Sequence, residues 1–274
     1  MPEAPKRKFH CRTIGVLAAL AAMTAVVAAA AVPALAGLPE VLDRVKPSVV
    51  AIGTQQRTRS PQFAFRGTGF VVGDGTLIAT NAHVVPEVLD PAARETIAIA
   101  VPARSGGEPQ VREARVLATD RDHDLALLKI EGAALPALKL GDSEAVREGE
   151  TLAFTGFPIG AVLGLSPVTH RALIASITPV AIPSANARQL DPRVIRRIQG
   201  GAFSVFQLDA TAYPGNSGSP LYDVESGEVR GIINMVFVKG TKESALSQPT
   251  GISFAVPSRF LAMLIRQSAD STSQ

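Results

Sequence analysis

The sequence of 274 residues contains no tryptophan, two tyrosines and a single cysteine, and aromatic residues make up only 5 % of it. Any core must therefore be aliphatic, built from Val, Ile, Leu and Ala. The one cysteine, Cys11, lies ahead of an apolar run near the N-terminus. Its place there fits no lipoprotein acceptor, which would follow the run. A disulfide framework, a thiol nucleophile in the body of the chain and a cysteine-based metal site are excluded. Histidine is scarce as well. Of four, His10 belongs to the N-terminal segment, which leaves His83, His123 and His170. A real excess of positive charge is also missing. The chain has 27 Lys+Arg against 24 Asp+Glu, but Lys6, Arg7, Lys8 and Arg12 head it. Without residues 1–36, whose one acidic group is Glu3, the two signs balance. The basic balance is thus a targeting feature, and no nucleic-acid partner is expected.

What is present begins with that N-terminal segment. Ile14 to Val32 is uncharged and mostly Ala, and Pro33 and Ala34-Leu35-Ala36 follow. A basic head, an apolar run and a small-x-small site form the layout of a secretory signal peptide over 1–36, cleaved after Ala36. The competing reading is an uncleaved anchor, since about 20 apolar residues can span a bilayer. Either way the body of the chain is exported, to a periplasm or to the medium.

Gly (23) and Pro (20) are spread along the rest, which suits short strands joined by turns. Runs rich in Val, Ile and Thr predict strands near 48–55, 66–73, 77–80, 95–101, 111–118 and 124–130. A second set falls near 151–156, 168–178, 203–209, 219–222, 228–237 and 251–255. Closing each set into a barrel removes exposed sheet edges. The fold class is all-β, with an N-terminal barrel over 37–140 and a C-terminal barrel over 141–274. Leu38, Val41, Leu42 and Val45 have helical spacing ahead of Pro47. A last helix starts near Pro257-Ser258, with Phe260, Leu261, Leu264 and Ile265 on one face and a frayed tail after Gln267. Segments 56–65, 181–202 and 238–250 read as long loops.

Three patches carry chemistry. In Gly215-Asn216-Ser217-Gly218-Ser219-Pro220, a serine nucleophile needs a base and a way to hold an oxyanion. A glycine two places before it allows backbone shapes closed to other residues, so that the N–H groups of Gly215 and Ser217 can share one oxyanion. The same letters also fit a plain Ser/Gly turn. Thr80-Asn81-Ala82-His83-Val84-Val85 supplies a histidine after a short strand. Asp124 opens the apolar run Leu125 to Ile130, where a partly buried carboxylate requires a partner such as an imidazole N–H. Asp120 and Asp122 compete for that role but stand further from the strand. Asp120, Asp122 and His123 read as a turn of solvated charges and not as a metal cluster. The order His, Asp, Ser is that of the chymotrypsin-type triad. The α/β-hydrolase elbow fails, because Ser219 stands where its second Gly belongs.

With these patches in order, the chain resembles the HtrA/Deg branch of trypsin-like serine proteases. The likeness also includes Val45 to Val50, Gly67 to Val72, Gln207 to Ala210 and Gly251 to Ser258, and runs from about residue 38 to 267. The resemblance implies two six-stranded antiparallel barrels with the site in the cleft between them. It places catalytic His83 and Asp124 on the first barrel and Ser217 on the second, with Gly215, Asn216 and Ser217 as the oxyanion hole. It also implies an endopeptidase acting on polypeptide substrates, without metal or organic cofactor. Thr211 would form the base of the specificity pocket, with walls from Ile233, Asn234 and Met235. An uncharged base points to cleavage after small or medium apolar residues. Asn216 stands where secreted trypsins carry an acid that pairs with a newly cut N-terminus, so activation of that kind is not expected. His170 occupies a position where the family has smaller residues, and is read as a surface strand residue or a rim residue of the cleft. Residues 218–274 suffice for a barrel and a helix, so PDZ-mediated partners are not expected. Trimers are usual in the family, and both a monomer and a homotrimer are compatible. A catalytically idle binding or holdase module, and an esterase with the same triad, are the alternatives.

Overall fold

A computed structural model describes residues 37–103, 107–160, 164–179, 203–234 and 251–272. The N-terminal segment with its Ala36 site, the two loops at 181–202 and 238–250, and Met235 lie outside the described residues. Among the described residues no helix is long and apolar enough to cross a membrane.

Helix α1 (Leu38–Val45) and a 3-10 turn (Lys46–Ser48) lead into β1 (Val49–Gln55). The first barrel continues with β2 (Phe63–Val72), β3 (Leu77–Asn81), β4 (Thr96–Val101), β5 (Gln110–Asp120) and β6 (Leu125–Ile130). It closes in the order β1-β2-β3-β6-β5-β4. The second is built from β7 (Thr151–Gly156), β8 (Val168–Pro179), β9 (Ser204–Asp209), β10 (Pro220–Asp223), β11 (Val229–Asn234) and β12 (Ile252–Pro257). It closes as β10-β11-β12-β9-β8-β7, and α2 (Ser258–Thr272) follows. All pairings are antiparallel. The expected all-β pair of six-stranded barrels is the observed fold.

Alternate residues of a strand face opposite ways, and here both ways are apolar. Val50 and Ile52 of β1 enter the interior of the first barrel with Val71, Ile78, Ile99, Leu128 and Ile130. Val49 and Ala51 face outward into a second layer with Phe70, Leu125, Leu127, Phe157, Tyr222, Ile232 and Val256, drawn from both barrels. Leu152, Phe154, Ile174, Phe206, Leu208, Leu221 and Ile233 fill the second barrel. The layer between the barrels is therefore lined by buried apolar side chains, as either interior is. Helix α1 adds to it: Val41 and Val45 are buried, and Arg44 donates to the Ser226 carbonyl at 3.4 Å.

Two expectations need correction. Residues 63–65 of the predicted loop belong to β2, pairing with Gln55, Thr54 and Gly53 across a bulge at Ile52/Gly53. A Cβ on Gly53 would meet the Ala64 carbonyl at 2.2 Å, so the missing side chain lets the strands close up. Helix α2 does not fray at Gln267 but runs to Thr272. Ser268 is buried and its hydroxyl donates to the Ile265 carbonyl, and no Gly or Pro intervenes to stop the helix.

Candidate active site

The site is assembled where β3, the turn before β6 and the loop before β10 meet. Beyond Asn81 the chain enters a 3-10 turn (Ala82–Val84) that lifts His83 off the strand. Asp124 sits at φ +54°, the left-handed region that Asp tolerates better than most residues. That conformation turns both its carbonyl and its carboxylate toward the Asn81–His83 segment. The Asp124 carbonyl accepts from the Ala82 N–H (3.0 Å) and from Asn81 Nδ2 (3.1 Å). The carboxylate accepts the His83 backbone N–H on Oδ1 (2.9 Å) and contacts His83 Nδ1 through Oδ2 (2.5 Å). An ionised carboxylate only accepts, so Nδ1 carries the proton and Nε2 is left as the basic nitrogen. The pair is sheltered without being sealed, with 28 % of the His83 side chain and 13 % of the Asp124 side chain exposed.

Asn234, at the end of β11, completes this arrangement from the other barrel. Its Nδ2 donates to Asp124 Oδ2 at 2.8 Å. Asn234 is expected from the sequence in a pocket wall; its Nδ2 is directed at the Asp124 carboxylate. Ile233, expected in the same wall, has its side chain in the interior of the second barrel, because the alternation of β11 sends it inward. Thr211 is half-buried in a segment tied to β12. There Ser253 Oγ donates to the Ala210 carbonyl (2.6 Å) and accepts from the Ala212 N–H (2.9 Å).

Two successive turns, 213–216 and 216–219, present Ser217, which lies in the second. The Asn216 N–H donates to the Tyr213 carbonyl and the Ser219 N–H to the Asn216 carbonyl. Gly215 and Gly218 hold the third positions at φ +102° and +86°, as type II turns require. Asn216, named with the oxyanion hole from sequence, thus spends its N–H inside a turn. Among the described residues, the N–H groups of Gly215 and Ser217 have no acceptor. The Ser217 carbonyl accepts the Thr68 N–H of β2 at 2.9 Å. A Cβ on neighbouring Gly67 would touch both Val84 and that same carbonyl. The serine turn and the His83 turn therefore flank one short piece of β2. The Asn216 side chain is fully buried, and neither of its amide atoms has a partner among the described residues.

The turn at 120–124 corrects another expectation. Asp122 is exposed, but Asp120 and His123 form a second pair, Oδ2 to Nδ1 at 2.6 Å. The His123 ring stacks on Phe260 of α2, with centroids 3.9 Å apart, and meets Phe203 edge-on. Burial pushes the Asp120 carboxyl up, but hydrogen bonds from the His123 ring and from the His123 and Asp122 N–H groups outweigh it and hold the group below its ordinary value. His170 is a half-buried residue of β8. It stacks on Phe154 with its Nε2 buried, and burial lowers its pKa. Among the described residues no cluster of His, Cys, Asp and Glu is arranged to hold a metal ion.

Comparison with known proteins bears on the family and the fold. Residues 67–232 match the model of the trypsin-like peptidase domain. A protein of Pseudomonas putida, described as a DegP-like periplasmic serine endoprotease, is 32% identical over 229 residues. The match covers 82% of this chain and 40% of that one. A Synechocystis protein described as the serine protease HhoA is 32% identical over 201 residues, covering 73% and 42% of the two chains. The chain thus spans about two-fifths of the length of these relatives. Among solved structures, the HtrA-type protease AlgW with a tripeptide superposes with a TM-score of 0.58 at 24% identity, over 84% of this chain and 63% of that one. At that identity the superposition speaks for the fold alone. The chain belongs to the trypsin-like peptidase family, and its relatives are serine proteases of the DegP/HtrA type.

Proposed function

We propose that this chain is an exported serine endopeptidase with Ser217 as nucleophile, His83 as general base and Asp124 as the group that orients the base. The observation that carries the reading is the double grip of the Asp124 carboxylate on the ring and the backbone of His83, beside the turn that presents Ser217. Ser217 Oγ attacks a peptide carbonyl while His83 Nε2 takes its proton. Asp124 keeps the tautomer and stabilises the imidazolium. The N–H groups of Gly215 and Ser217 hold the oxyanion. His83 then protonates the leaving amine, and water releases the acyl group with His83 again as base. No step calls for a metal or an organic cofactor.

Substrates are polypeptides, unfolded or damaged, cut after small or apolar residues. Thr211 supports this preference, because residues 210–213 bring no charge to the pocket base. Asn216 cannot form an ion pair with a new N-terminal amine, so activity does not depend on one. Export rests on the layout of residues 1–36 and on the periplasmic description of the Pseudomonas relative.

Fluorophosphonate labelling run beside casein digestion tests the reading, with Ser217→Ala as control. Labelling at Ser217 together with digestion, both lost in Ser217→Ala, is the expected result. Labelling without digestion favours an esterase, and absence of labelling favours a binding module.

A further inference from the structure

Thr68 is fully buried in the middle of β2, in the first barrel, yet most of its hydrogen bonds reach the second. Its Oγ1 donates to the Gly215 carbonyl at 2.7 Å and accepts the Phe157 N–H at 3.1 Å. Its backbone N–H donates to the Ser217 carbonyl at 2.9 Å. Its own carbonyl accepts Thr80 Oγ1 at 2.7 Å. Because the Phe157 N–H can only donate, the Thr68 hydroxyl proton is committed to Gly215.

We infer that Thr68 is a positioning residue for the oxyanion hole, its hydroxyl fixing the peptide that joins the two donor N–H groups. This rests on the reading of Ser217 as nucleophile. The donors, Gly215 N–H and Ser217 N–H, belong to the peptides on either side of the Gly215–Asn216 unit. That central unit is held at both ends: Thr68 takes its carbonyl and the Tyr213 carbonyl takes its N–H. A trans peptide points its C=O and N–H in opposite directions, so holding both ends fixes the plane. The carbonyls of Asn216 and Ser217 are likewise engaged, by the Ser219 N–H and the Thr68 N–H. The Pro214 carbonyl accepts the Ile159 N–H at 2.8 Å, so four consecutive carbonyls, 214 to 217, are drawn into the protein and the two donor N–H groups keep one relative orientation. Gly215 is the weak point of the device. At φ +102° and without a Cβ, it can rotate to other conformations at little cost. The peptide that carries the Gly215 N–H stays anchored through its Pro214 carbonyl, but without the Thr68 hydroxyl the Gly215 carbonyl loses its partner, and rotation about Gly215 would turn the Gly215–Asn216 peptide and carry the Ser217 N–H out of line with the Gly215 N–H.

The test uses the full chain, a peptide p-nitroanilide with valine before the cut, and a peptidyl boronate that forms a tetrahedral adduct on serine. Thr68→Val keeps the shape and removes the hydroxyl; Thr68→Ser keeps the hydroxyl. Direct removal of an oxyanion donor costs about 10²–10³ in kcat. Acting through the donors, Thr68→Val should lose about tenfold to a hundredfold in kcat with KM within about threefold. Boronate affinity should fall by the same factor, and Thr68→Ser should restore most of both. If Thr68→Val does not fold, Thr68→Cys, with its weak S–H donor, should give an intermediate kcat. Unchanged kcat in Thr68→Val or Thr68→Cys, or an equal loss in Thr68→Ser, overturns the proposal. A wild-type protein that neither labels with fluorophosphonate nor cleaves the anilide sinks the nucleophile assignment itself, which is a different outcome.

Discussion

The seating of the serine turn against β2 can be measured with two glycine substitutions. A Cβ on Gly218 would stand 2.0 Å from the Thr68 carbonyl oxygen and 2.5 Å from Thr80 Oγ1. Both distances are roughly 1 Å or more inside van der Waals contact, and the nearer atom is backbone. Gly218→Ala must therefore push the turn off the strand. That movement strains the bonds from the Thr68 N–H to the Ser217 carbonyl and from the Gly218 N–H to the Ile233 carbonyl, both 2.9 Å. Each is worth about 0.5–1.5 kcal/mol. The left-handed backbone, φ +86°, adds about 1–2 kcal/mol for any residue with a Cβ. The sum is about 2–5 kcal/mol, a large part of a typical folding free energy. Gly149 provides the control. Its φ is +89°, and a Cβ there meets nothing within 4 Å. Gly149→Ala carries the backbone cost alone, about 1–2 kcal/mol. Urea unfolding of the two variants should show Gly218→Ala less stable than Gly149→Ala by about 1–3 kcal/mol. The Gly218 variant should also lose peptide hydrolysis. Equal stability losses would falsify the claim that close approach to Thr68, and not φ alone, fixes the residue at 218.

Two further outcomes follow from the site and its surroundings. Asn234→Ala removes a donor to a carboxylate, a bond worth about 1.5–3 kcal/mol, so kcat/KM for the anilide should fall by about tenfold or more; a change under threefold would mean that Asp124 needs no help from β11. His170 is held below its ordinary value of 6.5 by burial alone, so the unfolded chain binds the proton more readily. Stability should therefore be full above about pH 6.5 and decline on acidification from there toward the folded value; in His170→Phe, which keeps a ring against Phe154, the difference in unfolding free energy between pH 7.5 and 5 should shrink.

What was legible in the sequence divides by the distance over which its cause acts. Strand positions depend on local period and turn chemistry, so all twelve strands were found, and Leu38 to Val45 was read as a helix from four apolar positions. The sidedness of the strands was not legible. Val49, Val50, Ala51 and Ile52 are all apolar, and nothing in them tells that two face the barrel interior and two the layer between barrels. His83, Asp124 and Ser217 stood out together, each in a short local patch, through their order along the chain and the family those patches resemble. Asn234 meets Asp124 across 110 residues, and an asparagine closing a strand carries no mark of that. Asp120 and His123 read as solvated because the covers of His123, Phe203 and Phe260, come from distant parts of the chain.

Thr68 is the instructive intermediate case. Its bond to Gly215 spans 147 residues, beyond any local pattern. Yet it is a polar residue between two glycines inside an apolar strand, Gly67-Thr68-Gly69-Phe70. Cβ atoms on those glycines would strike Val84 and Ile52 at 2.8 Å. Glycines that flank a polar strand residue mark a place where other groups come close to the backbone, and a buried hydroxyl there must bond to what approaches. That approach was legible from β2 alone. What it could not tell is that the approaching backbone is the one carrying the serine.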